Sequence, residues 1–303
     1  MNDIHPEIIQ NLYYSVKLIR RVEEEIIRIY PSDQIKSPVH LSLGQESISS
    51  GVCGALNHED VVFGSYRGHA MYIAKGGNLR SMFAELYGKI DGCARGKGGS
   101  MHLVDVEAGI MSTSAVVGTS IANAIGYAYA SKIENKNKIV VSFFGDGATE
   151  EGVFQESLNF AALKKLPIIF VCENNGYAIH TQQKVRQAIP DICSKVSPHG
   201  IPAIKIDNAD VINIYKNVER IVYEIKNLKH GPFFIECMTS RWKEHVGPNE
   251  DFDLGFRNKN EVLKWKEDDS VIKLGNKLKP EVKKILDKKI ESIIKDAISF
   301  AEK

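Results

Sequence analysis

The sequence lacks any apolar run of the roughly 20 residues that a membrane-spanning helix requires. It also lacks a charge surplus, because 39 basic and 38 acidic side chains leave a formal net charge of +1. A nucleic-acid-binding protein is expected to carry a basic surplus or stripe. Both absences therefore favour a globular protein that acts on small molecules or packs against other proteins, with no nucleic acid and no membrane as partner.

Cysteine is scarce, and the five cysteines are scattered along the chain without a C-x-x-C pair. This spacing argues against a disulfide framework and against a structural zinc site. The amino-terminal segment MNDIHPEIIQ also lacks the basic stretch and the apolar stretch of a signal peptide. We therefore expect a reduced protein of the cytoplasm.

Two nearly all-apolar segments, at residues 138–144 and 167–172, flank an amphipathic segment at 149–165. An order of buried strand, helix and buried strand is typical of a parallel sheet with helices on both faces. The remaining predicted elements are strands at 203–206 and 232–238, helices at 6–30, 120–132 and 211–228, and a lysine-rich helical end at 261–303. The segment 31–118 is expected to be irregular and broken by short helical stretches such as 45–56 and 79–87. No repeat or linker interrupts the pattern, which predicts a single α/β domain over residues 1–303.

Polar residues follow both apolar segments directly. Gly145, Asp146 and Gly147 follow the first, and Asn174 and Asn175 follow the second. Because parallel strands end at the same edge of a sheet, we expect Asp146 and Asn175 to lie side by side. Carboxylate and amide oxygens suit Mg²⁺, and the N-terminus of the intervening helix favours a phosphate. These residues predict a Mg²⁺–diphosphate site; the alternative is a helix cap followed by a turn.

This arrangement resembles the cofactor motif of thiamine diphosphate enzymes. More narrowly, the chain is similar over roughly residues 7–270 to the α subunit of the decarboxylating component of 2-oxo acid dehydrogenases, of the pyruvate, branched-chain and acetoin types. Five blocks carry the resemblance: HLSLGQES at 40–47, SYRGHA at 65–70, AELYGKIDGCARGKGGSMHL at 84–103, SAVVGTSIANAIGYA at 114–128 and GDGATEEGVFQESLNFAALKKLPIIFVCENN at 145–175. It implies a thiamine diphosphate-binding fold, in the domain that holds the diphosphate.

The resemblance also implies which residues contact the cofactor and the metal. The implied Mg²⁺ ligands are Asp146, Asn175 and the backbone carbonyl of Tyr177. The implied diphosphate contacts are the backbone of Gly147 and Ala148 and the side chains of Tyr66 and Arg67. The backbone of Ala115 and Val117 is implied to contact the aminopyrimidine ring. The implied catalytic pair is His40 and His245, of which His245 is also a cofactor contact.

A glycine-rich stretch, GCARGKG at residues 92–98, superficially resembles a phosphate-binding loop. Its spacing before Gly96 and Lys97 is one residue short, and Gly98 stands where Ser or Thr must bind the metal. We therefore reject a phosphate site here and expect the loop to lead toward the active site.

The loop at 241–247 departs from the family pattern. Lys243 stands where a histidine is usual, and Val246 replaces the serine that is phosphorylated in mitochondrial members. Phosphorylation at this loop is therefore not expected, and transfer to a lipoyl-bearing acyltransferase is left open. The alternatives are a split transketolase or an acyloin-forming lyase with a non-lipoyl acceptor, and, in another class, a non-catalytic binding or assembly subunit.

None of the matching blocks contains the glutamate that activates the aminopyrimidine, which the family places in its β subunit. The resemblance therefore implies the α subunit of an enzyme of two α and two β subunits, active only when both are present. Such an enzyme decarboxylates a small 2-oxo acid and transfers the acyl or aldehyde unit.

Overall fold

The predicted apolar strands form the middle of a six-stranded sheet in the computed structural model, which describes residues 4–303. Residues 1–3 lie outside the described residues. They belong to the predicted domain and to the amino-terminal segment that was compared with a signal peptide. The strands are β1 Val61–Ser65, β2 Ile110–Ser114, β3 Val140–Gly145, β4 Ile168–Asn174, β5 Tyr177–Ala178, β6 Thr181–Gln182, β7 Ala203–Ile206 and β8 Phe233–Met238. The sheet order is β2-β1-β3-β4-β8-β7 with every pairing parallel, and β5 and β6 form a separate antiparallel pair.

Helices cover both faces of the sheet. They are α1 Pro6–Ile29, α2 Glu46–Gly54, α3 His69–Ala74, α4 Leu79–Leu86, α5 Thr119–Ile133, α6 Gly152–Lys164, α7 Gln183–Arg186, α8 Ile192–Val196, α9 Val211–Leu228, α10 Lys259–Glu267, α11 Ser270–Gly275 and α12 Pro280–Ala301. On β3, Val141 and Phe143 pack toward the side of α1, α2, α9 and α12, whereas Val140 and Phe144 pack toward α5, α6 and α8. Burial on both faces explains why these strands are nearly all apolar, and the predicted α/β class is confirmed.

Local signals fix several helix ends as predicted. The α9 helix begins at Val211 because the Asp210 carboxylate accepts hydrogen bonds from the backbone N–H groups of Ile212 and Asn213, at 2.8 and 3.0 Å. Such a cap is worth about 0.5–2 kcal/mol, so an Asp210→Ala change is expected to destabilise this end of the helix by that amount. None of the helices within residues 4–303 is long and apolar enough to cross a membrane.

Two local predictions were wrong. The segment 31–118 contains β1 and β2, which escaped notice because both strands are short and β2, with the sequence IMSTS, is mostly polar. The helix predicted from residue 149 begins at Gly152, since a 3₁₀ turn at Asp146–Glu150 precedes it. The predicted helical end is confirmed, and it consists of three helices, α10, α11 and α12.

The order of the strands creates a crevice at one edge. From β1 the chain crosses to β2 on one side, whereas from β3 it crosses to β4 on the other side. The segments that leave β1 and β3 therefore diverge at their carboxyl ends. Ligands of open α/β sheets bind at such a point, where the direction of the crossovers changes.

Candidate active site

A cavity of about 460 Å³ opens at the carboxyl edge of the sheet, where β1 and β3 end. All eleven site residues named from the sequence line it, namely His40, Tyr66, Arg67, Ala115, Val117, Asp146, Gly147, Ala148, Asn175, Tyr177 and His245. The fold thus brings together residues from six separate segments of the chain. Their individual roles stay predictions.

Asp146 is the most deeply buried carboxylate of the cavity, with 1% of its surface exposed. Its Oδ2 accepts a hydrogen bond from the Arg186 guanidinium, whereas its Oδ1 is buried without a partner. Burial raises the pKa of Asp146, although the charge of Arg186 opposes this shift. An unpartnered carboxylate oxygen is costly in the protein interior, and a hard cation such as Mg²⁺ would satisfy it.

Asn174, the last residue of β4, and Asn175, which follows it, make different contacts, as is expected of consecutive residues in an extended segment. Asn174 is buried, and its Nδ2 donates to Glu236 Oε1 at 2.7 Å. Asn175 lines the cavity, where its Nδ2 donates to Gln45 Oε1 at 2.9 Å and its Oδ1 accepts from the backbone N–H of Tyr177 at 3.1 Å. An amide oxygen has two lone pairs, so Asn175 can still ligate a cation beside Asp146. This donor set fits the implied Mg²⁺.

Three rings that line the cavity lie close together. The ring of His40 lies 4.5 Å from that of Tyr66 and 5.1 Å from that of His245, measured between ring centroids. Burial lowers the pKa of both histidines to about 3, with a further lowering by the charge of Arg67. Both imidazoles are therefore neutral at neutral pH, and each offers one ring N–H as a hydrogen-bond donor and one ring nitrogen as an acceptor. The Nδ1 of His40 is buried and has no partner.

The Arg67 guanidinium donates hydrogen bonds to backbone carbonyl groups, whereas the resemblance implies that it contacts the diphosphate. Its Nη1 donates to the carbonyl of Leu41 at 2.7 Å, and its Nη2 donates to the carbonyl of His245 at 3.2 Å. The guanidinium therefore ties together the two loops that carry the histidines, while also lining the cavity. The predicted contact with a diphosphate remains untested.

Sequence reasoning assigned no role to two charged residues that line the cavity, Glu173 and Arg241. Burial raises the pKa of Glu173 to about 7, although Arg67 opposes this shift. Burial lowers the pKa of Arg241 to about 9, and its Nη1 has no hydrogen-bond partner. The position of Glu173 directly after a buried strand was a usable signal. Nothing in the polar segment around Arg241 marks it as buried.

The glycine-rich loop binds an internal anion in place of a phosphate. The buried carboxylate of Glu85 accepts hydrogen bonds at 2.7–2.9 Å from the backbone N–H groups of Ala94, Gly96, Gly98 and Gly99. Because these N–H groups already donate to Glu85, they do not form a phosphate site, which agrees with the rejection of such a site from the sequence. The loop continues into Met101, which lines the cavity.

Comparison with known proteins assigns the chain to a family. Residues 14–303 match the family described as the dehydrogenase E1 component. This chain belongs to that family. The family prediction made from the five sequence blocks is thereby confirmed.

Relatives in the dehydrogenase E1 family are α subunits of about one-third identity. The α subunit of acetoin:2,6-dichlorophenolindophenol oxidoreductase from Bacillus subtilis (strain 168) is 34% identical over 296 residues, covering 96% of this chain and 88% of that protein. The α subunit of the pyruvate dehydrogenase E1 component from Rhizobium meliloti (strain 1021) is 33% identical over 298 residues, covering 96% and 84%. The chloroplastic pyruvate dehydrogenase E1 subunit alpha-3 from Arabidopsis thaliana is 34% identical, covering 96% and 70%.

Solved structures with a similar fold include transketolases. That of Campylobacter jejuni has a TM-score of 0.59 and 18% identity, covering 95% of this chain and 49% of that protein. That of Leishmania mexicana has a TM-score of 0.58 and 16% identity, covering 97% and 46%. The chain thus spans about half of a transketolase, and the likeness concerns the fold alone. Membership of the E1 family supports thiamine diphosphate as the cofactor.

Proposed function

We propose that this E1-family chain is the α subunit of a two-subunit enzyme that decarboxylates a small 2-oxo acid on thiamine diphosphate and passes the acyl or aldehyde unit to an acceptor. The observation that carries the proposal is the convergence of all eleven implied site residues on one cavity, with Asp146 Oδ1 buried there without a partner. A binding or assembly subunit would not require an unsatisfied carboxylate oxygen at this position.

Two groups of the chain's own residues have separate tasks. Asp146, Asn175 and the Tyr177 carbonyl, which line the cavity, would hold Mg²⁺, and the cation would offset the charge of a diphosphate. Bound thiamine diphosphate supplies the nucleophilic carbon and the electron sink for decarboxylation. His40 and His245, as neutral imidazoles, would each be able to donate a hydrogen bond from a ring N–H to the reacting carbonyl oxygen of the substrate, where negative charge develops.

The charge around the histidines suits an anionic substrate. Arg67 and Arg241 are both buried beside the cavity, and Arg241 has one nitrogen without a partner. A carboxylate is the anion whose two oxygens match a guanidinium. The arrangement therefore supports a 2-oxo acid over an uncharged ketone.

A β subunit is proposed to close the site and to provide the glutamate that activates the aminopyrimidine. Exposed apolar side chains at the cavity support such a partner, since Val116, Val117 and Ile179 are 62%, 41% and 54% exposed. A tetramer of two α and two β subunits, a lipoyl acyltransferase as acceptor and a cytoplasmic location complete the proposal.

The test is to purify the chain together with its β partner and to measure thiamine diphosphate binding by calorimetry with Mg²⁺ present. A panel of 2-oxo acids is then screened with an artificial electron acceptor. Binding and turnover are expected for the complex, and weak binding without turnover for the α chain alone. A complex that binds no cofactor, or an α chain that decarboxylates alone, would overturn the proposal.

Acetoin is a second candidate substrate. The relative of Bacillus subtilis, whose length the chain covers to 88%, is named for acetoin and a dye acceptor. The altered loop also lies beside the cavity, with Val246 43% exposed. Including acetoin in the substrate panel, with 2,6-dichlorophenolindophenol as acceptor, decides between an anionic and a neutral substrate.

A further inference from the structure

Arg186 is not among the site residues expected from the sequence, yet it makes the closest polar contact with the proposed metal ligand. It ends α7, forty residues beyond Asp146 in the chain. Its Nη2 donates to Asp146 Oδ2 at 2.5 Å, its Nη1 contacts Glu150 Oε1, and its Nε donates to the carbonyl of Thr181 at 3.0 Å. The guanidinium therefore contacts three different residues. Only 11% of the Arg186 side chain is exposed, so it is largely shielded from water.

This contact makes the two oxygens of Asp146 unequal. Oδ2 is engaged by the guanidinium, whereas Oδ1 is buried and unpartnered. A charge-assisted hydrogen bond restrains the rotation of a carboxylate. Arg186 therefore leaves Oδ1 as the oxygen that is free to accept a cation.

The residues around Arg186 also connect the ends of β3 and β4. Gln187 Nε2 donates to Glu150 Oε1 at 2.7 Å and to Thr149 Oγ1 at 3.2 Å, within the turn that follows β3. Gln183 Oε1 accepts from Asn174 Nδ2 at 3.2 Å, at the end of β4. One short segment thus fixes both strand ends that carry the proposed metal ligands.

We propose that Arg186 is a positioning residue for divalent-cation binding, holding Asp146 so that Oδ1 receives the metal of the metal–diphosphate complex. This inference rests on the proposed function and deepens it, because it names the group that sets the affinity of that site for its cation. Groups that orient metal ligands through hydrogen bonds typically contribute about 10- to 100-fold to metal affinity.

The opposite role for Arg186 predicts a result of opposite sign. If the guanidinium were an internal cation that competes with the metal for Asp146, its removal would tighten cation binding. If it orients Asp146, its removal weakens cation binding. The sign of the change in Kd therefore separates the two roles.

The experiment measures Mn²⁺ affinity by electron paramagnetic resonance in the αβ complex with thiamine diphosphate present. Arg186→Met is expected to raise the Kd for Mn²⁺ about 10- to 100-fold. Arg186→Lys should recover part of this loss, since an ammonium keeps the charge but lacks the planar fork of a guanidinium. Lys184→Met removes an exposed cation from the same helix and should leave the Kd within twofold. An unchanged or tighter Kd in Arg186→Met overturns the proposal.

Two further measurements exclude a general loss of structure. Glu150→Gln leaves Arg186 and Asp146 in place but weakens the anchor of the guanidinium, and it should raise the Kd less than Arg186→Met does. At saturating Mg²⁺, the kcat of Arg186→Met should approach that of the wild type, because only the cation affinity is lowered. A kcat that stays low at saturating Mg²⁺ contradicts a positioning role. If the wild-type complex itself binds no Mn²⁺, the proposed function fails, and the failure is distinct from that of Arg186.

Discussion

Two cavities of similar size lie at opposite edges of the same sheet. The cavity at the carboxyl edge measures about 460 Å³, and the one at the amino edge, where α5, α6 and α9 end, measures about 420 Å³. The amino-edge cavity is lined by the lysines Lys132, Lys136, Lys138, Lys165, Lys226 and Lys229. Lysines at the carboxyl ends of helices complement the helix dipoles, so this composition has a structural explanation.

The two cavities differ in whether their polar atoms have partners. At the amino edge, Lys132 Nζ donates to the carbonyls of Lys164 and Lys165, and Lys226 Nζ lies 2.9 Å from the buried Asp60 carboxylate. At the carboxyl edge, polar atoms of Asp146, His40 and Arg241 are buried without partners. Buried polar atoms that the protein leaves unsatisfied are therefore a better indication of a binding site than the size of a cavity.

The largest expected effect concerns the proposed catalytic histidines. Replacing His40 by Asn should lower kcat about 100- to 1,000-fold, the range for loss of a hydrogen-bond donor to a developing oxyanion, while the Kd of the cofactor changes little. The same change at His245, which is also an implied cofactor contact, should lower kcat and also raise the Kd of the cofactor. His230→Asn, at the amino-edge cavity, is the matched control and should leave kcat unchanged. If His230→Asn lowered kcat as much as the changes at His40 and His245 do, the proposal that only the carboxyl-edge cavity is catalytic would be wrong.

Next in size is the effect of removing the proposed metal ligand. Asp146→Ala should weaken binding of thiamine diphosphate with Mg²⁺ by at least about 100-fold, which calorimetry of the αβ complex measures. Lys229→Ala alters the amino-edge cavity and should have no such effect. Unchanged binding in Asp146→Ala would show that the metal–diphosphate site lies elsewhere.

The carboxyl edge should also control how stability depends on pH. Because the pKa of His40 and His245 falls from 6.5 to about 3 on folding, each contributes stability that is lost as the pH falls below 6.5. The pKa of Glu173 rises from 4.5 to about 7, so its contribution is lost as the pH rises above 4.5. Each group contributes a slope of about 1.4 kcal/mol per pH unit. Between pH 4.5 and 6.5 the combined slope of the two histidines is larger than the opposite slope of Glu173. The net contribution of these three groups to the free energy of unfolding therefore increases as the pH rises.

Urea unfolding of the cofactor-free chain between pH 4.5 and 6.5 measures this slope. In the double variant His40→Asn/His245→Asn, the contribution of Glu173 alone remains, and the slope from these groups should change sign. A double variant that retains the wild-type slope would contradict the assignment.

The smallest effect is expected at the amino edge and concerns stability alone. Lys226→Met removes the cation paired with the buried carboxylate of Asp60, which still accepts hydrogen bonds from the backbone N–H groups of Asn57 and Ile139. The free energy of unfolding should fall by about 1–3 kcal/mol, without a change in cofactor affinity. A loss of cofactor affinity in this variant would mean that the two edges are coupled.

Short-range patterns located the central strands and the proposed ligands Asp146 and Asn175, whereas the third proposed ligand, Tyr177, was implied only by the family resemblance. Residues 203–206 and 211–228 were predicted with the bounds that the structure shows. Sequence reasoning missed β1 and β2, since strand pairing and not local composition defines them: Val61 pairs with Val140, and Val62 with Ile110. The role of Arg186 was also invisible, because an isolated arginine in a polar segment carries no local signal.

The sequence by itself determined the α/β class, the family, and the polar residues that follow β3 and β4, because a helical period, an apolar run and a strand-end motif are each local features. Only the tertiary structure decided which groups meet. It placed Arg67 against the carbonyl of His245 and Arg186 against Asp146, while leaving one oxygen of Asp146 unpartnered. These contacts join residues far apart in the chain, and their geometry depends on the order in which the strands pair and on the burial that follows from it.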